Sequence, residues 1–147
     1  MTSLTKKIII AIVIIVLIVI VASLGVSIYG WRAAVREGNK HAAVQNLKTI
    51  SAIEIQYYNT HNRTFGTFDQ MVKEQMLSSK FAGNPAIVDG YVFTLTVTPR
   101  TATVPSSYAV RADPQARNDH FYLDSSDGLV HVNTNKPAGP NDPESNY

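Results

Sequence analysis

The sequence predicts an α+β protein: a long N-terminal helix, transmembrane in its first part and amphipathic in its second, packs on a small antiparallel four-stranded sheet. Three observations carry that prediction. The stretch KKIIIAIVIIVLIVIVASLGVSIYGW holds no charged residue between Ile8 and Tyr29. Apolar residues then recur at steps of three and four from Ala43 to Tyr57, the period of one helix face. Beyond Asn84-Pro85 the period falls to two, the mark of half-buried strands.

These patterns divide the chain into a short basic tail over 1–7, a transmembrane helix over 8–29, a globular head over 30–134 that includes the amphipathic helix, and an irregular tail over 135–147. A bilayer core takes about 20 apolar residues at 1.5 Å rise each, which the uncharged run supplies. The residues expected to anchor and pack this helix are Ile8, Ile12, Ile15, Val19, Ala22 and Val26, with Tyr29 and Trp31 as interfacial aromatics. A cleavable signal peptide is the rival reading. Its apolar region is normally about 7 to 15 residues long, however, and Ser23, Gly25 and Ser27 offer only a weak cleavage site. Lys6 and Lys7 on one side compete with Arg32, Arg36 and Lys40 on the other, so charge counting leaves the orientation open.

The helix is expected to run on past Gly30, since no proline occurs before Gly83, with Gly38-Asn39 as its weak point. Its second part carries an apolar stripe through Leu47, Ile50, Ile53 and Tyr57. Thr67 followed by Gln70 fits a capping box that opens a second, short helix. In YVFTLTVTP the residues Tyr91, Phe93, Leu95 and Val97 share one strand face. SYAVRA and HFYLD read as two further strands, and DSSDGLVHV as a turn leading into a last one. The expected head core is Leu47, Ile50, Tyr57, Phe93, Leu95, Val110 and Phe121, the helix stripe covering the apolar face of the meander.

Composition excludes several functions. The formal net charge of +2 rests on Lys6 and Lys7, and the remainder is balanced, without the basic excess of a nucleic-acid binder. With no cysteine, neither a disulfide framework nor a thiolate metal site is available. The four histidines are dispersed at 41, 61, 120 and 131. His120 could face His131 across the last hairpin, and Asp124 could face Asp127, but a metal needs three or four convergent ligands. Ser125, Ser126, His131 and Asp124 have the residue types of a hydrolase yet share one tight turn. We therefore assign no catalytic, cofactor-binding or metal-binding residue, expect no cofactor, and read the chain as a non-enzyme without a small-molecule substrate. Glu54, set among Ile53, Ile55 and Tyr57, reads as a solvated flank or one half of a salt bridge.

The order of these segments resembles type IV pilins and type II secretion pseudopilins. AAVQNLKTISAIEIQYYNTHNRTFGTFDQM is similar to the end of the pilin helix and the loop after it, and GYVFTLTV, SYAVRADP and HFYLDSSDGLVHV to the successive strands. The resemblance covers roughly residues 30 to 133. At the start the chain departs from the family. Aligned on Leu47-Lys48-Thr49-Ile50, the family's cleavage point falls near Lys7-Ile8 and its glutamate near Ile12, and neither residue matches. What the resemblance implies is a structural subunit of a type IV pilus or type II secretion-type filament, assembling through its apolar helix. Its partners would be the membrane, further copies of itself or other pilin-like subunits, and not nucleic acid. It would sit as a single-pass protein in a bacterial inner membrane with the head periplasmic or extracellular, or in a cell-surface filament. The alternative is a non-polymerising, membrane-anchored adaptor or ligand-binding protein.

Overall fold

The computed structural model describes the backbone of residues 3–147 and the side chains of residues 7–23 and 29–147. Helix α1 runs from Ser3 to Thr60 without a break at Gly38, so residues 3–7 belong to the helix and not to a separate tail. A short helix α2, Phe68–Lys73, and a single 3-10 turn, Ser79–Phe81, follow. Five strands complete the chain: β1 Ala86–Val88, β2 Tyr91–Thr98, β3 Ser107–Pro114, β4 His120–Asp124 and β5 His131–Asn133. The chain divides into two compact units, Met1–Glu37 and Gly38–Tyr147.

Among the described residues, the first unit is helix alone. Every large apolar side chain described from Ile8 to Val21 is exposed, by 45% at Ile9 up to 67% at Val21. The expected transmembrane helix over 8–29 requires correction: among the described residues, no helix is long and apolar enough to cross a membrane.

The second unit is α+β, but its sheet has five strands where four were expected, in the order β1-β2-β3-β4-β5 with every neighbour antiparallel. The additional strand is β1. It joins β2 through Asp89-Gly90, whose φ angles of 50° and 76° place both residues in the left-handed region that a two-residue hairpin demands. A Cβ on Gly90 would also lie 2.8 Å from the Asn39 side-chain amide nitrogen, which would have to swing aside. Asn84 extends the pairing beyond β1: its amide donates to the Leu95 carbonyl at 2.7 Å and its oxygen accepts the Leu95 N–H at 3.1 Å, as a strand backbone would.

Strand register explains the core. Phe93 pairs with Ala112 and Ala112 with Phe121, while Leu95 pairs with Val110 and Val110 with Leu123. All six side chains are buried, giving two rows across one sheet face. They share a core with Ala43, Val44, Leu47, Ile50 and Tyr57 of α1, and with Phe68, Met71 and Phe81 from the connection between helix and sheet. Thr67 closes the capping box of α2 as its spacing predicts, its hydroxyl accepting from Gln70 N–H while the Gln70 side chain accepts from Thr67 N–H.

The tail over 135–147 is not loose. Glu144 forms a bridge with His131, Val132 N–H donates to the Pro143 carbonyl at 2.9 Å, and Ser145 N–H to the Val130 carbonyl at 2.7 Å. This backbone ladder covers the β5 edge. Tyr147 then reaches α1, its ring edge-on to His41 and Phe121 and its hydroxyl 3.2 Å from Lys40 Nζ.

Candidate functional site

Three places concentrate unsatisfied or functional groups: the exposed apolar helix, the buried carboxyl of Glu54, and the polar network behind the last hairpin. On the helix, Ile8, Ile12, Ile15 and Val19 are each 51–61% exposed, and Ala22 is exposed as well. Tyr29 and Trp31 follow at 76% and 73%. Val26, the other residue expected here, lies outside the described side chains. Because successive helical residues point about 100° apart, unbroken exposure from Ile8 to Val21 means that every side of the helix is apolar. An apolar helix of this kind requires cover on all sides, and a single partner against one face does not supply it.

The residues expected in the head core are found there: Leu47, Ile50, Tyr57, Phe93, Leu95, Val110 and Phe121 are each at most 5% exposed. The helix stripe differs in one respect. Ile53 is only partly buried and Ile55 is 56% exposed, while Glu54 is fully buried. The observed stripe runs Ala43, Leu47, Ile50, Glu54 and Tyr57, so the glutamate occupies a core position and is neither a solvated flank nor half of a salt bridge. Its Oε2 accepts the Gly66 N–H at 2.9 Å, and Oε1 has no hydrogen-bond partner. Burial pushes its pKa up to about 7, with the Gly66 hydrogen bond opposing that rise. Gly66 leaves the space for this contact, since a Cβ there would lie 3.1 Å from Met71 Cγ and from the Tyr57 ring. One helical turn earlier, Ser51 accepts a hydrogen bond from the Tyr108 hydroxyl at 2.9 Å, fixing α1 to β3.

The last hairpin gathers the polar residues differently from the expected pairing. His120 stands opposite Asn133, and His131 opposite Tyr122, so the two histidines do not face each other. His120 Nδ1 lies 2.6 Å from Asp113 Oδ1 instead. His131 is 8% exposed, with Nε2 3.0 Å from Asp127 Oδ2 and Nδ1 2.7 Å from the Asp142 carbonyl. Two acceptors favour the protonated ring, so the Asp142 carbonyl first, and Asp127 with it, raise the His131 pKa against the opposing effect of burial. Asp124 caps the turn, accepting from Ser126 N–H at 2.8 Å, Ser126 Oγ at 2.6 Å and the Tyr122 hydroxyl at 2.7 Å. These bonds consume the hydrolase-like residue types: Ser126 bonds Asp124, Ser125 Oγ accepts Tyr108 N–H, and His131 holds the tail. Among the described residues, no group of three or more His, Asp or Glu side chains is placed to hold a metal.

No protein-family model, no curated protein and no solved structure matches this chain.

Proposed function

We propose that this protein is a pilin-like structural subunit of a type IV pilus or type II secretion-type filament, and that its N-terminal helix assembles by packing against the same helix of neighbouring copies. The observation that carries this reading is the apolar exposure on every side of the helix from Ile8 to Val21. A dimer covers one stripe of a helix, whereas a bundle of many parallel copies surrounds it. The folded unit supports the same role. Its apolar face is filled by its own helix and sheet, leaving a self-sufficient head to be displayed by each subunit. The resemblance of residues 30 to 133 to pilin-like heads supplies the class of assembly. In this reading the protein resides at a bacterial inner membrane before assembly and in a surface or periplasmic filament afterwards.

Intact mass of the protein recovered from membranes and from sheared extracellular material of its host tests the proposal. Filament use predicts high-molecular-weight assemblies of the chain, in the sheared fraction for a surface filament and in the membrane fraction for a periplasmic one. Recovery from membranes alone, with no assembled form, overturns it and leaves a non-polymerising adaptor.

A further inference from the structure

The loop between α1 and α2 and the loop between β2 and β3 meet at a cleft of about 270 Å³ whose lining includes Tyr58, Arg63, Arg100, Thr101 and Thr103. We infer that this cleft binds a small oxyanion of the phosphate class, gripped between the Arg63 and Arg100 guanidinium groups.

The two cations line the same cleft, and no carboxylate is part of its lining. Among the described residues, neither guanidinium has a hydrogen bond, an ion pair or a ring contact, whereas Lys40 and Lys80 are paired with Asp119 and Asp89. Two uncompensated positive charges in one concavity raise the local potential and favour an anion. Guanidinium groups suit oxyanions in particular, because their planar donor fork matches two oxygens of one phosphate.

The cleft walls are held in place although the cations are not. Ser106, 6% exposed, accepts the Phe65 N–H at 3.4 Å and donates to the Thr98 carbonyl at 2.9 Å, which ties the two arginine-bearing loops together. Within the first loop, Arg63 N–H donates to the Tyr58 carbonyl at 3.1 Å and Thr64 Oγ1 to the His61 carbonyl at 2.6 Å. In the second, Thr101 N–H donates to the Val104 carbonyl at 2.9 Å and Val104 N–H to Thr101 Oγ1 at 3.0 Å. Asn62 and Arg63 both hold left-handed backbone, with φ of 52° and 57°. Non-glycine residues adopt that region at a cost that the surrounding bonds must sustain. Fixed backbone with free guanidiniums is the arrangement a preorganised anion site requires.

The test is titration of the full-length chain in non-ionic detergent with inorganic phosphate at constant ionic strength, read by backbone amide resonances. A site predicts saturable shifts confined to Arg63, Thr101 and Thr103 and their neighbours. It further predicts that Arg63→Gln and Arg100→Gln each weaken binding about tenfold, the loss of one charge-assisted contact. Arg117→Gln, an exposed arginine in the β3–β4 loop, leaves binding unchanged. A second arm replaces free phosphate with micelles doped with an anionic phospholipid. Tighter binding in that arm assigns the oxyanion to a lipid headgroup, and tighter binding to free phosphate assigns it to a soluble ligand. Shifts that rise linearly without saturation, or titrations identical in the parent and both glutamine variants, overturn the site. Unchanged far-ultraviolet circular dichroism confirms that the variants remain folded.

Discussion

Glu54 interrupts a helix face otherwise built from Ala43, Leu47, Ile50 and Tyr57, and it does so with a fully buried carboxyl that has a single hydrogen bond. An ionised carboxylate in that position is costly, so the folded protein holds its proton to about pH 7. The sign of the linkage follows. The folded state binds this proton more tightly than the unfolded chain, so the stabilisation from it is present at low pH and is lost as pH rises from about 4.5 through about 7. The span corresponds to about 3 kcal/mol. Glu54→Gln keeps an acceptor for Gly66 N–H and removes the titration. Denaturant unfolding should therefore show the parent losing stability between pH 5 and pH 8 and the variant nearly level, with the variant the more stable at pH 8. His131 contributes a smaller change of the same sign, because its raised pKa also favours the protonated native state until pH passes through it. A slope unaltered by Glu54→Gln would show that the carboxyl is not the titrating group. The sequence did not reveal this burial, because Ile53 and Ile55 on either side suggested that the stripe passed beside Glu54. The spacing Leu47, Ile50, Glu54, Tyr57 was the available signal, but which of two neighbouring stripes faces inward is decided by tertiary packing, which no local pattern records.

At the level of elements, the long helix, the capping box and strands β2, β3 and β4 were legible because each rests on a local pattern: period, cap chemistry or alternation. The strand β1 was missed, since three residues are too few to show alternation. Its turn was nevertheless written in the sequence as Asp89-Gly90 between Val88 and Tyr91, a hairpin signal independent of strand length. Gly90→Ala should destabilise the head by about 1–2 kcal/mol, the cost of left-handed backbone at a residue with a Cβ. The Asn39 side-chain amide can move aside, so the cost lies in the backbone. Ile87→Ala, one residue inside the same strand but 63% exposed, should change stability by about 0.5 kcal/mol or less. Comparing the two by thermal unfolding tests whether the turn, and not the exposed strand, holds β1 in place. The tail is irregular, as its composition predicts, but its anchoring was not legible. Its Pro, Asn and Gly content describes the absence of regular structure, yet its order comes from long-range contacts to β5, His131 and α1 that no local pattern records.

For the whole molecule, the decisive contrast is between a head unit that buries its own apolar face and a helical unit that exposes apolar side chains on every side. The head unit is complete as a fold, and the helical unit is complete only when surrounded. The sequence displayed the apolar run plainly, but not what covers it, because helices packed among copies of themselves and helices packed among lipid share the same composition. Ile12 stands where the pilins that the sequence resembles carry a glutamate, so packing in the proposed filament would rely on the apolar surface. The chain contains no cysteine, which permits a direct measurement of this claim. Single cysteines placed in turn at positions from Ile8 to Val21, followed by cross-linking in the native host, report which sides of the helix meet another copy. Packing in a multi-copy bundle predicts cross-linked ladders from positions on every side of the helix. Monomer at every position, or a dimer from one stripe alone, would contradict it.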